Sequence, residues 1–137
     1  GKPEISLFDK LRKKYIKNKQ IKKVILYPHY DEADIAIYFS DDAVWGIDLK
    51  DYLSPNGLIK TIKNDLRKES SKLITNSYDR FLYVYDTYLL KFNSSYSRII
   101  ENTLDYKKEG IWVGTNVNFT DLLEKKITTN VGGKKNS

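Results

Sequence analysis

No cysteine occurs in the sequence. Its absence excludes disulfide bonds, thiolate metal sites and cysteine nucleophiles together, and it is compatible with a reducing cytosol. Long apolar runs are also missing, since none approaches the roughly 20 residues that cross a bilayer, and no signal-peptide pattern opens the chain. We therefore expect a cytoplasmic protein that has no contact with a membrane.

The sequence also has a single histidine and no glycine-rich phosphate-binding loop. His29 is the only histidine, which excludes a multi-histidine zinc site, and we interpret it as a loop residue rather than a catalytic base. Without a partnering histidine motif, the plentiful serines make no serine-hydrolase site. The string Asp31-Glu32-Ala33-Asp34 spells a helicase box, but no glycine-rich loop followed by Lys-Ser or Lys-Thr accompanies it, so ATPase activity is not expected.

The length of the chain is that of one ordinary domain. Its 137 residues, of which 40% are hydrophobic and 13% aromatic, are enough for a single packed core. The first residue is Gly1 rather than methionine, which indicates either a trimmed tag or a piece of a longer polypeptide, and we expect the latter. We predict one domain over residues 1–127 and a frayed, flexible tail over residues 128–137, which lack apolar periodicity.

Positive charge is concentrated near the start of the chain. The formal net charge is +6, and no acid interrupts the basic residues between Lys10 and Lys23. This segment favours a phosphate-bearing partner, although a solvated helix face explains it equally well. The predicted nucleic-acid contacts are Lys10, Arg12, Lys13, Lys14 and Lys17 from this segment, together with Tyr30 and Tyr52, which lie beside acids farther along the chain.

Apolar spacing predicts a helix followed by three strands. Phe8, Leu11 and Tyr15 recur at intervals of three and four behind Ser6 as a candidate N-cap, which is typical of an amphipathic helix. The Asp41-Asp42 turn predicts that the second and third strands form a hairpin. Short runs rich in β-formers predict the strands at residues 24–27, 35–39 and 44–50.

The second half of the chain alternates helices and strands. Ser54 and Pro55 are residue types preferred at a helix start, and Leu58, Ile62 and Leu66 mark the buried stripe that follows. The predicted elements are this helix to about residue 69, a strand at 81–85, a helix at 88–104, a strand at 111–113 and a last short helix capped by Asn118 or Thr120. This order predicts an α/β fold in which a mixed central sheet is flanked by helices.

Three charged residues are predicted to meet on this sheet. Asp48 and Lys50 point to the same face of the third strand, about 7 Å apart, because side chains alternate along a strand. Asp34 opens the second strand and is separated from the hairpin turn by about as many residues as Asp48, so we expect the two acids side by side. A charged pair in an otherwise apolar strand indicates that this face of the strand is exposed to solvent or has a function. The alternative is a half-exposed strand that carries a structural Asp48–Lys50 ion pair.

Two carboxylates and an ammonium group suit phosphodiester hydrolysis. Mg²⁺ takes oxygen ligands, usually one or two carboxylates with water and substrate phosphate in the other positions. A lysine beside the ion can orient the nucleophile and neutralise charge that builds on the phosphorus. The predicted cofactor is therefore Mg²⁺ or Mn²⁺, with Asp34 and Asp48 as ligands.

These residues also carry a resemblance to a known family. Asp34, a short hairpin and then Asp48-Leu49-Lys50 resemble the PD-(D/E)xK motif of restriction-endonuclease-like nucleases. More narrowly, the runs YPHYDEAD at 27–34 and VWGIDLKDY at 44–52, followed by Ser54-Pro55, are similar to restriction-endonuclease domains found with bacterial PIWI-related defence systems. The match is strong over residues 27–58 and depends elsewhere on element order. One departure from the motif is that no proline immediately precedes Asp34.

The resemblance implies a restriction-endonuclease-like core with Asp34, Asp48 and Lys50 in the catalytic roles. In that family an acid from the first helix sometimes joins them as a metal ligand, and Glu4 is the best match here, with Asp9 as the second candidate. The implied function is a metal-dependent endonuclease that cuts DNA in bacterial defence, with other domains or subunits of such a system as partners and pairing of two copies left open. The alternative is a non-catalytic nucleic-acid-binding or assembly module of a larger defence protein.

Overall fold

The computed structural model describes residues 2–28, 33–68, 77–106 and 110–136, with side chains up to residue 129. In chain order its elements are α1 (Lys2–Tyr15), β1 (Ile21–Leu26), β2 (Ile35–Phe39), β3 (Val44–Leu49), α2 (Pro55–Arg67), β4 (Arg80–Tyr85), α3 (Leu89–Phe92), α4 (Tyr96–Thr103), β5 (Trp112–Thr115) and α5 (Asn116–Asn136). The α/β class and the order of strands predicted from the sequence are confirmed. His29 and Tyr30 lie outside the described residues.

The five strands form one mixed sheet. Their spatial order is β1-β2-β3-β4-β5, so each strand lies beside its neighbours in the sequence. β1, β2 and β3 pair antiparallel, whereas β3, β4 and β5 pair parallel. The parallel pairs need long crossovers, and α2 supplies the one from β3 to β4.

The turn between β2 and β3 has the predicted hairpin geometry. The N–H of Phe39 donates to the carbonyl of Ala43 at 2.9 Å, and Asp42 has a φ of 72°. Aspartate tolerates this left-handed conformation better than most residues. The Asp41 carboxylate adds a bond by accepting the N–H of Ala43 at 2.9 Å. The turn therefore fixes the register of the two strands that hold the candidate site.

The start of α2 also follows the sequence prediction. Ser54 is the N-cap, and its hydroxyl accepts the N–H of Gly57 at 3.4 Å, while Pro55 occupies the first turn. Leu58 and Ile62 are fully buried, which anchors the helix on the sheet. Because the start of α2 is capped and its buried stripe packs on the sheet, the side chains of α2 that face the sheet have defined positions.

The sheet separates two apolar cores. On one face, Leu58 of α2 and Ile100 of α4 belong to a buried cluster with Tyr83 of β4, and we call this the α2 face. On the other face, Leu11 of α1 and Leu123 of α5 pack with the alternate side chains of the strands, and we call this the α1 face. Both faces are covered, as expected for a sheet with parallel strands.

Two elements begin earlier than predicted. α1 begins at Lys2 and not after Ser6, because Pro3 is compatible with the first turn of a helix. β1 begins at Ile21, since Lys22 and Lys23 are exposed strand residues that interrupt the apolar pattern. Neither difference changes which elements are present.

The prediction of one continuous helix over residues 88–104 is wrong, because the segment forms two helices. α3 ends at Phe92 and α4 begins at Tyr96. Between them, the side chain of Asn93 accepts the N–H of Ser95 at 2.9 Å, and the carbonyl of Asn93 accepts the N–H of Tyr96 at 3.1 Å. Asparagine and serine compete in this way with the regular bonds of a helix, which explains the break.

The last helix begins earlier than predicted and has a different cap. The hydroxyl of Thr115 accepts the N–H of Asn118 at 3.0 Å, while the side chain of Asn118 accepts the N–H of Thr115 at 3.3 Å. This reciprocal arrangement is a capping box. Thr115 is therefore the cap, and the prediction of Asn118 or Thr120 is wrong because it missed the pair.

α5 is also longer than the short helix that we predicted. Phe119, Leu123 and Ile127 recur every four residues and are all buried, so their stripe holds α5 on the α1 face. The backbone is helical over residues 128–136, where the sequence predicts a frayed tail. The domain boundary at residue 127 stays a prediction. Across the described ranges, no helix is both long and apolar enough to span a membrane.

Candidate active site

Asp34 and Asp48 lie opposite each other on the antiparallel pair β2 and β3. The register pairs Ile35 with Ile47, the neighbours of the two acids, and the N–H of Asp34 donates to the carbonyl of Ile47 at 2.9 Å. One carboxylate oxygen of Asp34 accepts the N–H of Leu49 at 2.8 Å. This backbone bond fixes Asp34 beside Asp48, as the sequence predicted.

Lys50 lies between two carboxylates. Its Nζ is 3.3 Å from Oδ2 of Asp48 and 3.2 Å from Oδ2 of Asp65, a residue of α2. The exposed fractions of the Lys50, Asp48 and Asp65 side chains are 17%, 20% and 26%. The Lys50 side chain is thus largely buried, and it is held by one carboxylate on the sheet and one on the crossover helix.

Tyr83 forms the neighbouring wall of the site. Asp48 of β3 is paired in register with Tyr83 of β4, so the two side chains stand next to each other on the α2 face. The Nζ of Lys50 lies 5.9 Å from the centre of the Tyr83 ring, within the range of a cation–π contact. Burial raises the pKa of Tyr83, and the charges of Asp48 and Asp65 raise it further, so its hydroxyl stays protonated at neutral pH.

The electrostatics of Asp48 are unusual for an aspartate. Its pKa is raised to about 7: burial is the largest cause, the ammonium group of Lys50 acts in the opposite direction, and the carboxylate of Asp34 adds to the rise through its charge and a side-chain hydrogen bond. A hydrogen bond between two carboxyl groups requires that one of them hold a proton. Asp34 and Asp48 therefore share a site in which two negative charges are unfavourable without a compensating cation.

Lys50 keeps its positive charge in the same surroundings. Burial by itself lowers the pKa of Lys50, but the carboxylates of Asp48 and Asp65 outweigh burial and hold this pKa above its ordinary value. The ammonium group is consequently a permanent cation beside the acid pair. A fixed positive charge at such a position can stabilise negative charge that develops on a substrate.

The metal-binding role of Glu4 stays a prediction. This residue lies on α1, which covers the opposite face of the sheet, and its carboxylate accepts a weak hydrogen bond from the hydroxyl of Tyr27 at 3.4 Å. Among the residues that the structure describes, no group of three or more acids or histidines has the spacing to hold a metal ion. Glu4 nevertheless lines a cavity of about 230 Å³ that reaches Lys50 at the ends of β3 and β4.

The predicted basic residues of α1 are exposed, but they are not equivalent. Lys10 lines the same cavity as Lys50. Lys14 forms an ion pair with Glu124 at 3.1 Å, and Arg12 stacks over the ring of Phe8. Lys13 is exposed on α1, whereas Lys17 follows the end of that helix. Only Lys10 therefore lies close to the candidate site.

The two tyrosines predicted to contact substrate have different outcomes. Tyr30 falls outside the described residues. Tyr52 is exposed, and its carbonyl accepts the hydroxyl proton of Tyr96 at 2.6 Å, which anchors the loop between β3 and α2. Its position two residues after Lys50 leaves a substrate contact as a prediction.

The donor set of Asp34 and Asp48 fits a hard divalent cation. Both groups offer carboxylate oxygens, and Mg²⁺ is typically bound by one or two carboxylates with water and phosphate completing its shell. Burial and the carboxylate of Asp34 both raise the pKa of Asp48, and a bound cation would favour the ionised form of both acids. The residues present are consistent with a two-carboxylate site.

Comparison with known families decides the assignment of the fold. The family model described as "REase associating with pPIWI_RE" matches residues 1–130. The chain belongs to this family. The restriction-endonuclease-like core predicted from the sequence is thereby confirmed, and membership implies a nuclease of a kind that typically uses divalent metals. No curated protein and no solved structure matches the chain.

One residue of this REase domain was missed by the sequence analysis. Asp65 occupies a helix face that also carries Leu58 and Ile62, and position 65 follows Ile62 by three residues, so a side chain there points toward the sheet. An acid on the buried side of an amphipathic helix was the signal that could have found it. The sequence gives no partner for such an acid, because the partner depends on how α2 packs over β3.

Proposed function

We propose that this REase domain hydrolyses phosphodiester bonds in DNA as a metal-dependent endonuclease. The observation that carries the proposal is the pair of apposed carboxylates, Asp34 and Asp48, with the ammonium group of Lys50 beside them. A structural ion pair with Lys50 would need only one of these two acids. In a family of restriction-endonuclease type, this arrangement supports catalysis better than a purely structural role.

Each of the three residues has a distinct proposed role. Asp34 and Asp48 bind Mg²⁺ or Mn²⁺, and the bound ion supplies a Lewis acid for the scissile phosphate. The backbone N–H of Leu49 orients Asp34 by holding one of its oxygens. Lys50 stabilises negative charge on the phosphate in the transition state. Glu4 of α1, which the family resemblance implies as a further ligand, is the proposed third acid.

The test of this function is a cleavage assay in which only the metal and one carboxylate change. The domain is incubated with supercoiled plasmid, single-stranded DNA and RNA in Mg²⁺, Mn²⁺ or EDTA. We expect DNA to be cut in either metal, no cutting in EDTA, and no cutting by Asp34→Asn. The variant preparation excludes a contaminating nuclease, because a contaminant would survive the substitution.

Two outcomes would contradict the proposal. Cutting that continues in EDTA, or at the same rate in Asp34→Asn, would separate the activity from the acid pair. DNA binding that is steep in salt and indifferent to metal, without cutting of any substrate, would favour the alternative of a non-catalytic nucleic-acid-binding or assembly module.

The wider role that we propose is defence against foreign DNA in bacteria. The description of the family, which associates its members with pPIWI_RE, supports partners from such a system. Other domains or subunits would then bring the substrate to the site. Two copies of the domain are a further proposed assembly, since a single site cuts one strand at a time.

We also propose that DNA is held by the exposed cations of α1, with Lys10 as the principal contact. Lys10→Ala should weaken DNA binding and reduce the slope of log affinity against log salt by about one, the loss expected for one phosphate contact. Lys14→Ala should change the affinity and the salt slope less, because the Glu124 carboxylate lies 3.1 Å from Nζ of Lys14 and already compensates its charge. Fluorescence anisotropy over a salt series measures both effects.

Lys91→Ala on α3 is the matched control for the basic surface, since it removes an exposed lysine that does not belong to α1. Equal losses in the Lys10, Lys14 and Lys91 variants would indicate a diffuse effect of net charge and contradict a contact at Lys10.

A further inference from the structure

The partner of Lys50 on α2 has no role in the proposed chemistry so far. Asp65 approaches the ammonium group at 3.2 Å, which is as close as Asp48 does at 3.3 Å. Lys50 therefore has two acceptors at similar distances, one beside its own strand on Asp48 and one on the crossover helix. Only the first belongs to the acid-x-lysine motif.

The position of Asp65 is unfavourable for its own helix. It lies in the last turn of α2, where the negative end of the helix dipole disfavours a carboxylate. Its other oxygen is 3.9 Å from Lys68, whose side chain is 67% exposed, and such a surface pair contributes little. The stability of α2 consequently gives no reason for an acid at this position, whereas the contact with Lys50 does.

A lysine needs external support if its charge is to stay in one place. Its flexible four-carbon stem has many rotamers, so a single acceptor leaves the ammonium group several positions. In this domain the group is limited on three sides by Asp48, by Asp65 and by the ring of Tyr83. Asp65 is itself rigidly mounted, because Leu58 and Ile62 bury α2 against the sheet.

We propose that Asp65 is a positioning residue, which holds the ammonium group of Lys50 beside Asp48 at the place where the scissile phosphate binds. The proposal rests on the nuclease function proposed above. Asp65 acts through Lys50 and touches neither the substrate nor the cation. When the oxygens of Asp48 bind a metal ion, Asp65 remains as the acceptor that keeps Lys50 in the site.

A cleavage experiment tests whether Asp65 acts through Lys50. Asp65→Ala should lower kcat by about tenfold to a hundredfold, the usual effect of losing a residue that orients a functional group, with KM for DNA and the affinity for Mn²⁺ unchanged. Asp65→Asn, which retains an oxygen acceptor of the same shape, should recover part of that loss. In a Lys50→Ala background, Asp65→Ala should lower the residual rate no further.

Asp121→Asn is the matched control, because it removes an exposed carboxylate from α5 and should leave the rate unchanged. If Asp65→Ala slowed cleavage by the same factor with and without Lys50, its effect would be a general structural one and the proposal would be overturned. An increase in KM at constant kcat would overturn it too, since that result indicates substrate binding.

A second measurement reads the position of Lys50 without using activity. In ¹⁵N-labelled protein, a lysine ammonium group gives a ¹H–¹⁵N signal when hydrogen bonds slow the exchange of its protons. We expect such a signal from Lys50, assigned by its absence in Lys50→Ala, to persist in Asp121→Asn and to be lost in Asp65→Ala. An unchanged signal in Asp65→Ala would overturn the proposal.

The two measurements separate the two proposals. A domain that cuts no nucleic acid but loses the Lys50 signal in Asp65→Ala would contradict the nuclease function and support the contact. A domain that cuts DNA and keeps both its rate and the signal without Asp65 would support the nuclease function and overturn the role of Asp65.

Discussion

Asp48→Asn is expected to reduce the rate of DNA cleavage by about a thousandfold or more, since loss of a metal-binding carboxylate removes several kcal/mol of transition-state stabilisation. Asparagine has the shape of the protonated acid, so the packing against Tyr83 should be preserved. The loss is therefore expected in kcat and in Mn²⁺ affinity, with DNA affinity in the absence of metal nearly unchanged. Single-turnover cleavage and metal titration measure the two effects separately.

Asp51→Asn is the matched control for this substitution. Asp51 lies three residues farther along the chain, is exposed and accepts a hydrogen bond from Tyr88. A comparable loss of cleavage rate in Asp51→Asn would mean that neutralising any acid in this region impairs the domain. The effect would then not be specific to Asp48. A wild-type rate of cleavage in Asp48→Asn would contradict the assignment of Asp48 as a metal ligand.

The same substitution is expected to stabilise the metal-free domain in alkaline solution. The pKa of Asp48 is about 7 in the folded chain and 3.8 as the ordinary value, so between these limits the folded state binds a proton that the unfolded state has lost. Unfolding free energy of the wild type therefore falls as pH rises from about 4 to about 7 and then levels off. The full difference is on the order of 4 kcal/mol, at about 1.4 kcal/mol for each pKa unit.

Urea denaturation of the wild type and of Asp48→Asn over this pH range measures that difference. We expect the two proteins to have similar stability near pH 4 and the variant to be more stable at pH 8. Addition of Mg²⁺ or Mn²⁺ at pH 8 should stabilise the wild type and have little effect on the variant, because a bound cation would offset the repulsion between the carboxylates of Asp34 and Asp48. Parallel pH profiles would contradict the raised pKa of Asp48.

The meeting of Asp34, Asp48 and Lys50 could be predicted because it depends on local rules. Alternation along a strand places Asp48 and Lys50 on one face, and the two-strand register across a tight turn brings Asp34 opposite Asp48. Both rules act within one hairpin, so no knowledge of the remaining chain was needed. The cap of α2 at Ser54 was predictable for the same reason.

The contribution of the helices could not be predicted in this way. Whether α1 brings Glu4 to the acids, or α2 brings Asp65 to Lys50, depends on packing across the sheet and not on spacing in the sequence. The misplaced cap of α5 and the break after α3 have another origin. There, asparagine and threonine side chains bond to the backbone, and apolar periodicity carries no information on such bonds.

The crossover from β3 through α2 has a consequence for the order in which the site forms. Asp34, Asp48, Lys50 and Asp65 all come from one hairpin and the helix that follows it, so the loops that must close to assemble them are short. Short loops close at low entropic cost and early. The acid pair and its lysine can thus form as a local unit. The later strands and α5 then pack against this unit and stabilise it.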